Sequence, residues 1–298
     1  MVRIICLGHS TVDGIYVVPG IPATPTKILA KGYLEAGGGM AANASVAAAR
    51  LGAQVDYWGR VGADADGEQI VAWLQAEGVG TQGVRRIAGA RSPRTAVLLD
   101  ERGERLICTY DDPALDTDPS WLPVAALAGC GAMLADVRWR DGAARAFEAA
   151  RVARVPRILD ADIAPLESVR DLCTRCDYAI FSEPGLNLAS GASSPAEGLR
   201  QMQAGVSGVV GVTLGDDGFL WLDAGRERRA AAPSVSVLDT LAAGDVFHAA
   251  FAVAIAERKT VAEAAAFANA AAALKCTRPG GRSGAPKRAE VEALLGRS

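Results

Sequence analysis

Short β-branched runs alternate with alanine-rich runs along nearly all of this 298-residue chain. The candidate strands are Arg3–Leu7, Val55–Gly59, Ala132–Ala135, Arg157–Asp160, Tyr178–Phe181, Gly208–Thr213 and Phe219–Leu222. The candidate helices are Ala41–Leu51, Gly67–Glu77, Gly142–Ala153, Ala196–Ala204, Gly244–Glu257, Val261–Lys275 and Arg288–Leu295. Neighbouring parallel strands need a long crossover, and a helix supplies it. The alternation therefore predicts an α/β fold, with a central, mostly parallel sheet flanked by helices. Such sheets bind ligands at the carboxyl ends of their strands.

Two stretches break the rhythm. Residues 14–35 carry Pro19, Pro22 and Pro25. Residues 95–110 read as a hairpin, with strands Thr95–Leu99 and Arg105–Tyr110 around a turn at 100–104. Both are expected to be β insertions forming a small β-sheet lid within a single domain over residues 1–298.

Composition removes several classes of function. Half of the residues are hydrophobic and 22% are charged, the balance of a folded chain. The 31 basic and 34 acidic residues give a net charge of −3, which offers nucleic acid no footing. Arg226-Glu227-Arg228-Arg229 is read as a solvated loop. The longest apolar stretch, Leu122–Ala135, contains Pro123 and is too short to cross a membrane. The first residues read as a strand, so no signal peptide is expected and the cytoplasm is the expected location. Six scattered cysteines imply reduced thiols. Cys173 and Cys176 have CxxC spacing, but without a second pair they read as two thiols on a helix. His9 and His248, the two histidines, give little material for a His-rich metal site or a Ser-His-Asp triad.

The stretch Asp239-Thr240-Leu241-Ala242-Ala243-Gly244-Asp245 carries the clearest chemistry. A β-like run, Ser234–Leu238, enters it and an apolar helical run leaves it. A small-residue turn at a helix N-terminus gathers backbone N–H groups into an anion site. Asp245 would repel that anion, so its place there makes sense for a base that takes a proton from a hydroxyl attacking phosphorus. A lid would exclude competing water from that reaction.

Other segments add candidates. Gly37-Gly38-Gly39 before a helix lets backbone approach a ligand, or makes a plain glycine turn, and Asn43 adds a donor and an acceptor. Asp13, after the first strand, could hold two sugar hydroxyls or cap a turn. Thr213-Leu214-Gly215-Asp216-Asp217-Gly218 is a hairpin turn by itself and a candidate nucleotide contact beside an anion site. Asn269 to Gly281, with Ala272, could shape an adenine pocket. Lys27 and Arg138 suit an anionic substrate group, or each sits in a surface salt bridge.

These residues resemble the ribokinase/PfkB family of carbohydrate kinases. The resemblance rests on Asp239–Asp245, on Gly38-Gly39-Met40-Ala41-Ala42-Asn43 with Ala48-Ala49-Arg50-Leu51-Gly52, and on the spacing from Asp13 to the glycines and from Asp245 to Asn269 and Gly280. It covers essentially the whole chain and implies a ribokinase-like fold. It implies Asp245 as the base, and the N–H groups of Ala242, Ala243 and Gly244 as the anion hole. Asp13, Gly38, Gly39 and Asn43 would hold the sugar. Thr213, Gly215, Gly218, Ala272, Asn269 and Gly280 would lie along the nucleotide. ATP with Mg²⁺ is the implied donor. A monovalent cation such as K⁺ would sit among Asp239, Leu241, Lys275 and Gly280. A homodimer pairing through the lid is also implied.

The sequence departs from the family at two places. Ala242 stands where many members have Gly, which is tolerable if its φ is negative. Ser182-Glu183-Pro184-Gly185 replaces the usual Asn-x-x-Glu, leaving Glu183 as the candidate for Mg²⁺.

A narrower resemblance, to the sulfofructose kinases, lies in Leu134–Trp139, Phe181–Leu186 and Ala273–Arg282. It implies phosphorylation of the 1-hydroxyl of 6-deoxy-6-sulfofructose, with Lys27, Arg138 and Thr109 at the sulfonate. Thr109 replaces an Asn there, and Asp111 and Asp112 would oppose an anion if they point inward. Fructose, ribose, tagatose or a sugar phosphate are the alternative acceptors. A nucleoside would want more aromatic residues than Tyr16, Tyr33 and Tyr110. A non-catalytic sugar- or nucleotide-binding regulator is the alternative of another class. A dinucleotide-dependent oxidoreductase lacks its motif, because Gly8-His9-Ser10-Thr11 is not GxGxxG.

Overall fold

Ile4, Ile5, Cys6 and Leu7 are all fully buried, as in a strand covered on both faces. They belong to a computed structural model that describes residues 1–115 and 117–296. Asp116, Arg297 and Ser298, which the expected domain includes, lie outside the described residues.

In chain order the strands are β1 (Arg3–Gly8), β2 (Thr11–Val17), β3 (Gly32–Gly38), β4 (Gln54–Gly62), β5 (Gly80–Ile87), β6 (Arg94–Leu99), β7 (Arg105–Tyr110), β8 (Ala132–Asp136), β9 (Arg157–Ala161), β10 (Tyr178–Ser182), β11 (Val209–Thr213), β12 (Phe219–Asp223) and β13 (Arg226–Ala230). The helices are α1 (Met40–Arg50), α2 (Ala65–Ala76), α3 (Arg140–Ala153), α4 (Leu166–Cys173), α5 (Glu183–Ser190), α6 (Pro195–Gln203), α7 (Ala243–Ala256), α8 (Val261–Cys276) and α9 (Arg288–Leu295).

Among the described residues nine strands form the large sheet, in the order β13-β12-β11-β10-β9-β8-β1-β4-β5. It is parallel from β11 to β5, and the β12 and β13 edge is antiparallel. Alternate side chains feed two cores. Ile4 and Cys6 face one containing residues of α1, α2, α7 and α8. Ile5 and Leu7 face the other, built with α3, α4, α5 and α6.

The two insertions supply a separate four-stranded sheet, β3-β2-β6-β7. Gly39, at φ 88°, turns the chain from β3 into α1. A side chain there would strike the His9 and Ser10 backbone.

The structure corrects the sequence reading in several places. Arg226–Ala230 is a strand, not a loop: its charged residues lie exposed on the sheet edge, where charge discourages further pairing. Residues 234–238 are not a strand. They alternate like one, but Leu238 and Asp239 N–H both donate to the Cys276 carbonyl instead of to a neighbouring strand. The sequence reading also missed β5, α4 and α5. Glu183-Pro184-Gly185 resembles a turn, yet it opens α5 with Pro in the first turn and the Ser182 hydroxyl accepting from Gly185 N–H at 3.1 Å.

Candidate active site

The carboxyl ends of five parallel strands meet one cavity of about 290 Å³. His9 follows β1, Arg138 follows β8, and Asp160 and Asp162 come from the end of β9. Ser182 ends β10 and Thr213 ends β11. Thr11 and Asp13 of β2, Thr95 and Val97 of β6, and Arg105, Ile107 and Thr109 of β7 line it from the smaller sheet. The segment Thr240–Asp245 and His248 complete the wall.

Helix α7 begins at this wall and is buried from Val246 to Ile255, apolar there but for His248. Its N-cap, Ala242, has no side chain able to cap the first turn. The first N–H groups of a helix have no partner within it, so an uncapped N-terminus suits an anion. Among them, the Ala243 N–H donates to the Thr240 carbonyl at 3.2 Å. Ala242 itself has φ 64° and ψ 13°, contrary to the expected negative φ. The left-handed conformation costs a non-glycine residue about 1–2 kcal/mol. The tight entry into α7 therefore holds strain at the anion turn.

Asp245 lies in the first turn, and its carboxylate accepts from Asn43 Nδ2 at 2.7 Å. Burial and the neighbouring Asp160 carboxylate push it up to about 7, against the Asn43 hydrogen bond and the nearby His248. Asp160 is itself raised well above the carboxylate range, first by burial and then by Asp162 and Asp136. His248, one turn along α7, places Nδ1 2.8 Å from the Gly244 carbonyl and 3.4 Å from Asp160 Oδ2. Burial holds His248 below its ordinary value.

Asp13, Asn43 and Gly39 also line the cavity. Asp13 is buried and accepts from the Thr11 hydroxyl. Burial raises its carboxyl, while Thr11, Thr95 and the charges of His9 and Arg282 offset part of the rise. Gly38 does not line the cavity, but a Cβ there would overlap the Asp13 carboxylate, so it gives Asp13 its room. Asn43 Oδ1 is buried without a hydrogen-bond partner among the described residues.

Asp136 holds these pieces in register. Oδ2 accepts from His9 N–H at 2.7 Å and Ala41 N–H at 3.1 Å, and Oδ1 accepts from Arg138 N–H at 2.9 Å. One buried carboxylate thus ties together the ends of β1 and β8 and the start of α1.

Of the positions expected along a nucleotide, Thr213 alone lines the cavity. Gly215 and Gly218 shape the β11–β12 turn, at φ 59° and 83°. Asn269 is buried and donates to the Ala230 and Ala231 carbonyls at 2.8 and 3.2 Å, so its amide holds the end of β13 against α8. Ala272 is half-buried on α8, and Gly280 follows that helix.

The expected anion-binding residues part company. Arg138 lines the cavity, 40% exposed, with Nη2 3.9 Å from Asp162 Oδ2. Thr109 lies across from Thr95, their hydroxyls 3.1 Å apart. Lys27 is exposed on the β2–β3 connection and does not reach the cavity wall. Asp111 accepts from His9 at 2.6 Å, in an adjoining cavity that also holds Arg60 and Arg138. Burial would raise Asp111, but His9, Arg138 and Arg60 hold it below its ordinary value. Asp112 caps the Arg91 and Ala114 N–H groups.

Glu183 is exposed and outside the cavity, contrary to its expected place at Mg²⁺. Asp162, which does line the cavity, accepts from the Ser182 hydroxyl at 2.7 Å. Asp239, Leu241, Lys275 and Gly280 do come together, but around the Asp239 residue: its carboxylate accepts from the Leu241 and Gly280 N–H groups and its carbonyl from the Lys275 ammonium. Sequence reasoning missed Asp160, Asp162, Thr240 and Arg105. Asp160 and Asp162 follow the same rule as Arg138, polar residues at a strand's carboxyl end.

No cluster of three or more His, Cys, Asp or Glu suited to a metal occurs among the described residues. Their six cysteines are all unpaired, and burial raises Cys173 to about 12. No helix among them is long and apolar enough to cross a membrane.

Residues 1–288 match the pfkB family carbohydrate kinases. Ribokinase of Bacillus subtilis is 29% identical over 98% of this chain and 99% of its own length. A crystal structure of an Agrobacterium tumefaciens protein, provisionally named a ribokinase, is 34% identical with a TM-score of 0.94, covering 99% of this chain and 97% of that one. The structure of Arabidopsis thaliana ribokinase complexed with ribose and ATP is 25% identical, with a TM-score of 0.85 over 99% and 98% of the two chains. The α/β sheet, the uncapped N-terminus of α7 with Asp245 in its first turn, and these likenesses lead to one conclusion: the chain belongs to the pfkB family of carbohydrate kinases and is an ATP-dependent sugar kinase.

Proposed function

We propose that the protein transfers the γ-phosphoryl group of ATP to a primary hydroxyl of a sugar, with 6-deoxy-6-sulfofructose as the acceptor and its 1-phosphate as the product. The observation that carries the transfer is Asp245, held by Asn43 at 2.7 Å in the first turn of α7. Asp245 takes the hydroxyl proton, the sugar oxygen bonds to phosphorus, and the bond to the β-phosphate oxygen breaks to release ADP. The N–H groups of Ala242, Ala243 and Gly244 receive the charge on the transferring group. Asp13, with the room left by Gly38, accepts from sugar hydroxyls, beside the Gly39 turn. Asn43, whose Nδ2 holds Asp245, lines the same cavity and would border the sugar.

Thr213 stands on the nucleotide side, where the turn at Gly215 and Gly218 and the α8 wall at Asn269, Ala272 and Gly280 would flank ATP. Mg²⁺ binds through one or two carboxylates together with substrate phosphates, so the absence of a three-residue cluster among the described residues is compatible with it. Asp162 fits that role better than Glu183, and the ion would neutralise phosphate charge. The smaller sheet acts as the lid. Its exposed Tyr16, Tyr33, Leu106 and Tyr110 are apolar surface that a homodimer would cover.

Arg138 supports an anionic acceptor, and Thr109 can donate to a sulfonate oxygen. The likeness to ribokinases favours a second reading, ribose or fructose as acceptor. A panel of sulfofructose, fructose, fructose phosphates and ribose, compared by kcat/KM with ATP, decides between them. Sulfofructose is expected to lead. Arg138→Ala should raise KM for sulfofructose at least about tenfold, the scale of a lost charge-assisted contact, and leave KM for fructose nearly unchanged. Equal effects on both sugars would remove the sulfonate from the reading.

A further inference from the structure

Lys275 lies in the last turn of α8 with no exposed surface. Lysine is almost never fully buried unless its charge is paired. Its Nζ donates to the Asp239 carbonyl at 2.8 Å and the Arg278 carbonyl at 3.3 Å, and lies 3.4 Å from Asp239 Oδ2. Backbone carbonyls with one carboxylate are the oxygen donors that replace water around a monovalent cation. The remaining capacity of Asp239 is engaged by its own loops. Oδ1 accepts from Leu241 N–H and Oδ2 from Gly280 N–H, each at 2.7 Å. Leu241 and Gly280 are two of the positions where a bound K⁺ was expected. The Asp239 carbonyl, one of the oxygens expected at K⁺, already accepts from the ammonium, and the Asp239 carboxylate lies beside it, so a free ion there would sit against a like charge.

We infer that the Lys275 ammonium is a built-in monovalent cation that braces the phosphate-binding turn, so that the kinase needs no K⁺ or Na⁺. The charge sits behind Asp239, which opens the turn leading to Ala242, Ala243 and Gly244. Tethered to α8, it has no dissociation equilibrium of its own. Burial pulls the Lys275 ammonium below its ordinary value, and Asp239 opposes that shift. The inference rests on residues 239–245 being the phosphate turn.

The first test uses the unaltered enzyme with Tris-ATP in choline chloride, with K⁺ or Na⁺ substituted at constant ionic strength. Expected is a kcat/KM that changes by less than about twofold; activation of about tenfold or more by K⁺ would overturn the inference. The second uses Lys275→Ala and Lys275→Met. In choline both should lose at least about tenfold in kcat/KM, and Lys275→Ala should recover with K⁺ or methylammonium. The Tm of Lys275→Ala should rise with K⁺ while that of the parent does not, as ligand linkage requires. A folded Lys275→Ala that stays fully active in choline, or whose Tm and rate both ignore K⁺, would overturn the inference. If neither variant folds, the choline experiment still decides. Asp245→Asn retaining normal turnover would instead sink the phosphate-turn reading, whatever the cation result.

Discussion

Burial and the Asp160 carboxylate lift Asp245 to about 7, and a base at that value works well near neutral pH. The kcat/KM of the free enzyme should therefore rise as pH increases through about 7, because the deprotonated carboxylate is the active form. The same shift acts on stability. A carboxyl raised in the folded state holds its proton more tightly there than in the unfolded chain. Its contribution is fully present below the unfolded pKa, near 4, and is lost as pH rises from there through about 7. Asp245→Asn removes the titrating group. It should lower turnover at least ~10²-fold while ATP binding persists. It should also raise Tm at pH 8, with the gain shrinking towards pH 4; a Tm below that of the parent at pH 8 would contradict the buried-charge account. Asp245, Asp13 and Asn43, which line one cavity, could be singled out because each lies in or near a glycine- or small-residue run. Asp160 and Asp162 were not, since two carboxylates ending a strand carry no local motif. Lys275 was expected at a cation through the family resemblance, which says where a backbone passes but not where a four-carbon side chain ends.

Helix α7 begins with a strained residue. Ala242 at φ 64° would be relieved by glycine, which enters that region without steric cost. Glycine also loses more freedom on folding, by roughly 0.5–1 kcal/mol relative to alanine. Ala242→Gly should therefore leave stability within about 1 kcal/mol of the parent in a urea titration, and keep kcat within about threefold. A loss of several kcal/mol would mean that the methyl group packs in a way the backbone angles do not reveal. Elements also show where pattern fails as a guide. The Ser-Val-Ser-Val run before Leu238 has a strand's alternation, but the N–H groups of Leu238 and Asp239 that follow it donate to the Cys276 carbonyl. β13 has a loop's composition but pairs fully with β12. Alternation says which faces differ, and pairing depends on whether a neighbouring strand is present.

At the scale of the molecule, the alternating pattern was enough for the large sheet, because each buried strand needs helices on both faces. The two proline- and turn-rich interruptions marked the smaller sheet for the same reason: they could not serve as crossovers. What no local pattern shows is how the sheets meet. Arg105, on β7, donates to the Thr240 hydroxyl at the phosphate turn. Through that hydrogen bond a wall of the sugar cavity touches the loop expected to hold phosphate. If sugar draws β7 down, it also positions Thr240, so the two substrates should bind with positive linkage. Calorimetry should show ATP binding at least about fivefold more tightly with sugar present, and the sugar gaining by the same factor from ATP, as reciprocity demands. Arg105→Ala should bring both factors close to one; an unchanged factor would place the coupling elsewhere. Linkage of that sign also governs fuel loss. Without sugar the phosphate turn is less often assembled, so ATP bound alone should survive with little futile hydrolysis.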